Sequence, residues 1–175
     1  MTSGDEDSTD EGGKRRQAQI SPLRQSQRAR RSIARLAAVQ ALYQMDLAQT
    51  DLADVIADYR TRRFGTEGDE MSLEEADEAF FAALLKGVVA RQREIDPLVD
   101  AQLAEGWRLT RVDAILRAIL RAGVYELLAR RDVPAKVAIS EYVEVARAFF
   151  DDEEPKVTNG VLDGIGRRVR PEELV

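Results

Sequence analysis

The chain has 175 residues, with 26 Lys and Arg against 32 Asp and Glu, a formal net charge of −6, and neither cysteine nor histidine. That length suits one domain with a substantial core. The missing residue types exclude a disulfide framework, thiolate chemistry and the usual zinc and transition-metal ligand sets, and they remove the commonest general base.

No apolar run approaches the ~18 residues of a membrane span, and no secretory signal is evident, so a cytoplasmic protein with no membrane contact is expected. The charge is unevenly spread. Residues 1–11 carry −5, residues 12–45 carry +8, and residues 46–175 carry −9. Such asymmetry points to a polyanion-binding arm on an acidic body. The competing explanation is an arm that folds back on the acidic body or on the acidic first residues.

Residues 1–27 hold few large apolar side chains and many Gly, Ser, Asp, Gln and Arg. They cannot offset their ordering entropy by burial, so they read as a disordered tail, acidic and then arginine-rich. Residues 28–170 form the expected helical domain. At roughly 100° per residue, Ile33, Leu36, Val39, Tyr43 and Leu47 fall in one band about 120° wide, which predicts an amphipathic helix over 29–48. Arg28, Arg31 and Arg35 cluster just beyond the Val39 edge of that band, with Leu42 among them. Arg30 lies past the other edge, and Gln40 falls inside the band.

A second helix is predicted over 51–63, with Asp51 as its cap and Leu52, Val55, Ile56 and Tyr59 on one face. Residues 64–72 read as a loop. Ser72 opens an S-x-x-E capping box and a helix to about 92, followed by a shorter helix around 95–105. Thr110 begins a similar capping pattern before a strongly apolar helix that runs to about 130. Further helices are predicted over 135–150 and 156–168, joined by a loop at 151–155. Asn159-Gly160 is a hairpin signal in other surroundings. Here Val157, Val161, Leu162 and Ile165 keep helical spacing, so the segment reads as helix. Gly160 and Gly164 lie four apart on one side of it, where small residues admit a close neighbour, either a packed helix or a ligand. The fold class is therefore all-α, a compact bundle of about seven helices.

No catalytic constellation emerges. Neither G-x-x-x-x-G-K-[ST] nor G-x-G-x-x-G is present, and the carboxylates occupy capping or solvated helical positions. The chain reads as a binding protein rather than an enzyme, with no metal and no cofactor. An arginine-rich arm leading into a helix suits RNA, because guanidinium forks match phosphate oxygens and stack on bases. There is no helix-turn-helix pair with a basic second helix to favour DNA.

RRSIARLAAVQALYQ (30–44), VDAILRAILRAGVYELLARRDVPAKVAISEYVEVARAFF (112–150) and NGVLDGI (159–165) occur in that order. Together these segments resemble the NusB transcription antitermination family, over about residues 28–169. The resemblance implies two packed helical subdomains. It implies binding of single-stranded boxA-type RNA in nascent transcripts, jointly with the small-subunit ribosomal protein that acts as NusE. It also implies work within the transcription elongation complex to promote terminator read-through, notably in ribosomal RNA operons. Carried onto this sequence, the RNA-binding positions are Arg30, Arg31, Arg35, Gln40, Lys156 and Asn159, joined by Arg28 on the arginine side of the wheel. Gln40 reads equally as a buried, hydrogen-bonded amide. The protein-partner positions are Tyr43 and Glu126, although Tyr43 also fits a core role. Val157-Thr158 stands where the family has an aromatic followed by Val, and Ser140 stands where it has Asn. The alternative function is a helical protein-interaction scaffold whose arginine face meets an acidic protein. Monomer and homodimer are both compatible with the sequence.

Overall fold

The computed structural model describes residues 22–64 and 76–175. Residues 1–21 of the expected tail, and the Ser72 capping box, lie outside the described residues. Among the described residues there are six helices and no strand: α1 (Pro22–Ala48), α2 (Leu52–Asp58), α3 (Glu78–Gln102), α4 (Ala114–Ala129), α5 (Ala135–Phe149) and α6 (Glu153–Val169). α2 runs directly into a π-helical turn, Tyr59–Arg63. α3 packs along α4 and α5 along α6, and α1 lies against α3, α4 and the edge of α5. α4 touches α1, α3, α5 and α6. This explains why its apolar residues run nearly all round: Leu116, Ile119, Leu120, Val124 and Leu127 are all fully buried.

Several boundaries differ from the sequence expectation. α1 starts at Pro22, so residues 22–27 continue the helix rather than the tail. Proline at a first helical position loses no hydrogen bond and presets φ. α3 opens on Asp77, whose side chain accepts from the Phe80 amide at 3.0 Å. It then runs unbroken through Pro97 to Gln102, so the expected helix at 95–105 is part of α3. Ile95 and Val99 are fully buried on either side of Pro97, and Arg121 of α4 grips Asp96 with two bonds of 2.9 Å. Tertiary contact therefore outweighs the missing donor. Asp113, not Thr110, caps α4, accepting from the Ile115 amide at 2.7 Å. Asp51 stands at the α2 N-cap without a side-chain cap bond. α6 begins at Glu153, with Pro155 in its first turn, where backbone donors have no intrahelical partner anyway.

The π-helical turn puts the Phe64 amide on the Tyr59 carbonyl at 2.8 Å and swings both rings inward. Tyr59 stacks on Phe81 with ring centres 5.0 Å apart, and Phe64 meets Phe81 edge-on at 5.0 Å. These three aromatics tie α2 to α3.

The largest departure concerns the orientation of α1. Its fully buried face is Ala34, Ala37, Ala38 and Ala41, with Val39 at its edge, and Leu42 is buried as well. The band from Ile33 to Leu47 is mostly half-buried, and Leu47 is 61% exposed. Small side chains let α3 and α4 approach on the alanine side. Of the larger apolar residues, Tyr43 and Leu47 are left along a groove, while Ile33 and Leu36 pack against the core.

Candidate nucleic-acid interface

The arginines of α1 divide into three environments. Arg35, at 2% exposure, points into the core against Glu126 of α4, which is completely buried. Its Nε donates to Glu126 Oε2 at 3.0 Å, its Nη2 binds the other oxygen, and the Tyr142 hydroxyl donates to Oε2 at 2.8 Å. Glu141 adds a second carboxylate 3.7 Å from Arg35. Burial works against the Arg35 charge. The hydrogen bond and charge of Glu126 more than offset it and hold the guanidinium protonated beyond its ordinary range. Burial, reinforced by Glu126, pushes the Tyr142 hydroxyl well above its usual value. Arg35 is therefore a core ion-pair residue rather than an exposed phosphate ligand, and Glu126 is not on the surface that a partner would touch. Two charges inside the fold are tolerated only because each satisfies the other.

Arg31 is half-buried. It pairs with Asp132 at 3.2 Å and Asp77 at 3.8 Å, and its guanidinium lies 4.7 Å from the centre of the Phe80 ring. Arg35 and Arg130 stand 5.0 Å from the centre of the same ring, so three guanidinium groups gather at one phenyl ring. Arg130 grips Asp132 through two bonds of 3.0 and 3.1 Å, and this hydrogen bonding holds the Asp132 carboxyl below its usual range. Arg28 and Arg30 are exposed on the outer side of the helix. Ser32 fastens the same stretch to α5, donating to Glu141 at 2.8 Å.

These contacts leave a groove of about 440 Å³ between the start of α1 and the start of α5. Arg24, Arg28 and Arg31 form one wall, and Val133, Pro134 and Val137 form the other. Arg170, fully buried after α6, shapes that second wall. Its guanidinium donates to the carbonyls of Leu127 (2.7 Å), Val133 (2.6 Å), Glu126 (2.9 Å) and Arg130 (2.8 Å), so one side chain closes the end of α4 and the turn into α5. Glu173 accepts from the Ala135 amide at 2.7 Å, a bond that lowers its own carboxyl and occupies the N-terminus of α5.

Lys156 and Asn159 are both exposed in the first two turns of α6. Asn159 lines a cleft with Lys136 and Ser140 of α5, which a smaller cleft joins to Arg28. Val157 is half-buried. Thr158 is buried, its hydroxyl donating to the Glu154 carbonyl at 2.8 Å. Gly160 faces open space. A side chain at Gly164 would meet the Gln102 amide of α3, so of the two glycines only Gly164 admits a neighbour.

Gln40 does not join the arginines. It shares a second groove of about 530 Å³ with Tyr43, Leu47, Tyr59, Ile115 and Phe149. Its Oε1 is buried without a hydrogen-bond partner among the described residues, so the expectation of a bonded amide is not met. Tyr43 is half-buried on that groove, which Glu126 does not line. The Arg35–Glu126 pair, Arg170 and Lys136 were not singled out as a core pair, a clamp or a groove residue. The run of alanines flanking Arg35 was the one available signal, since alanines mark a closely packed face. Nothing in the sequence marks Arg170.

Among the described residues, no group of acidic side chains is arranged to hold a metal ion, and no helix is long and apolar enough to cross a membrane.

Comparison with known proteins places this geometry. The NusB family model matches residues 32–167. The transcription antitermination protein NusB of Agrobacterium fabrum is 50% identical over 161 residues, which cover 92% of this chain and 94% of that protein. Its counterpart in Maricaulis maris is 52% identical over 154 residues, covering 88% and 96%. Among solved structures, T. maritima NusB aligns with a TM-score of 0.67 at 29% identity, covering 82% of this chain and 95% of that one. A structure of the antitermination factors NusB and NusE in complex with double-stranded RNA has the same fold, with a TM-score of 0.65 at 22% identity, covering 80% and 98%. With a family match over most of the chain and close relatives over nearly their full length, the chain belongs to the NusB family of transcription antitermination factors and is not an enzyme.

Proposed function

We propose that this protein binds single-stranded boxA-type RNA in nascent transcripts together with a NusE-type small-subunit ribosomal protein. In the cytoplasm, as part of the transcription elongation complex, it then promotes terminator read-through, notably in ribosomal RNA operons. The observation that carries this is the groove at the start of α1, where Arg24, Arg28 and Arg31 face an apolar wall in an otherwise acidic protein. Arg30, Lys156 and Asn159 extend the RNA-binding set on exposed positions. Family membership supports the reading, as does a fold shared with a NusB that was solved with NusE and RNA. Tyr43 and Gln40 are assigned to the protein partner. Their groove is apolar, its rim residue Leu47 is exposed, and the unbonded Gln40 oxygen offers an acceptor to an incoming donor. Arg35 and Glu126 serve from inside, by fixing α1 against α4.

The test is titration of a boxA-like RNA, a scrambled RNA and an RNA duplex of equal length, with and without the NusE-type partner, at two salt concentrations. Preferred binding of the single-stranded boxA-like RNA, tightened by the partner and weakened by Arg31→Ala and Lys156→Ala, is the expected result. Equal weak binding of all three RNAs, indifferent to partner, overturns it. The exposed apolar groove would then favour the second reading, a protein-interaction scaffold.

A further inference from the structure

The groove between α1 and α5 has two kinds of wall, and the second has no assigned role. Its basic wall is α1. Its other wall is Val133, Pro134 and Val137, a compact apolar surface held in place by the Arg170 clamp. A smaller cleft of about 270 Å³ continues from Arg28 and Val137 to Lys136 and Ser140. Two carboxylates line this path, yet both already have cationic partners. Asp132 is held by Arg130 and Arg31, and Glu141 is held by Ser32 and lies beside Arg35. Arg28 of α1 and Lys136 of α5 both line the smaller cleft, and neither has an ion-pair partner among the described residues. The uncompensated charge along the small cleft is therefore Arg28 and Lys136, with Val137 lining it beside them.

We infer that the start of α5 is part of the RNA-binding surface, with Lys136 and Arg28 taking consecutive phosphates and the Pro134–Val137 surface supporting a base or ribose between them. The chemistry fits a single strand: cations on both rims of a narrow track follow the backbone, and an apolar face accepts a nucleobase of any sequence. A duplex hides its bases and has no use for that apolar wall. The path also explains how the α1 arginines and α6 act on one strand, since Lys136 and Ser140 line the cleft that reaches Asn159. This inference rests on the RNA-binding reading above and adds α5 to it.

The test compares Lys136→Ala with Lys86→Ala, an exposed lysine on α3 that lines none of these clefts. Both positions are exposed, and an unchanged thermal midpoint establishes that each variant is folded. Single-stranded RNA affinity is measured from low to moderate salt. Removing one phosphate contact lowers affinity by about fivefold at 0.1 M salt and reduces the log–log salt slope by about 0.7. That loss is expected for Lys136→Ala and not for Lys86→Ala. In parallel, photocrosslinks from 4-thiouridine-substituted RNA are expected within residues 131–141. If the parent protein binds RNA, Lys136→Ala matches Lys86→Ala and crosslinks avoid α5, this inference falls while the RNA-binding reading stands. If the parent protein does not bind RNA at all, both fall.

Discussion

At the scale of residues, the pair that organises the α1 end is Arg35 with Glu126. A buried ion pair adds little net stability relative to apolar packing, but a lone buried charge is expensive. Glu126→Ala is therefore expected to destabilise the fold by about 3–5 kcal/mol, because it leaves the Arg35 guanidinium and the Tyr142 hydroxyl without their acceptor. The double replacement Arg35→Met with Glu126→Leu is expected to recover most of that loss. Chemical denaturation of the parent, single and double variants checks both statements. A double variant as unstable as Glu126→Ala would show that the damage is lost shape and not an orphaned charge. Arg35 was legible as an arginine beside an apolar band. Its direction was not, because a helical wheel weights Leu and Val above Ala, whereas α1 is buried on its alanine side.

At the scale of elements, capping and proline rules located most helices and misplaced several ends. Asp77 and Asp113 do the capping that Ser72 and Thr110 were expected to do, each a few residues further on. Two helices, one ending near 92 and one over 95–105, were expected where α3 runs unbroken through Pro97. A proline inside a helix removes one backbone bond and crowds the preceding turn, at about 3 kcal/mol in an isolated helix. Here the burial of Ile95 and Val99 and the Asp96–Arg121 bridge offset that cost. Pro97→Ala is expected to raise stability by about 1–2 kcal/mol, less than the helix figure because alanine also gains freedom in the unfolded chain. A lower thermal midpoint for Pro97→Ala would instead mean that α3 needs the local bend.

At the scale of the whole molecule, the charge pattern read from the sequence is the most direct guide to behaviour. A basic segment is flanked by a −5 block before it and a −9 body after it. The acidic residues within the first eleven are expected to compete with RNA for the arginines. Deleting residues 2–11 should tighten RNA binding at low salt, and the gain should shrink as salt screens both interactions. Binding curves with and without those residues decide this; an unchanged affinity at low salt would exclude competition.

The sequence by itself determined the all-helical class, five of the six helices to within a few residues of at least one end, the family, and the presence of a basic segment at the start of the fold. These depend on local propensity, spacing and composition, all of which a linear string records. The tertiary structure alone decided which face of α1 is buried. It decided that Arg35 and Glu126 meet inside while Gln40 joins Tyr43 on another groove. It also decided that Arg170 ties the α4–α5 turn and that Lys136 shares a cleft with Arg28. Each of these is set by contacts between residues far apart in the chain, where the approach of neighbouring helices selects among side chains that the local pattern leaves equivalent.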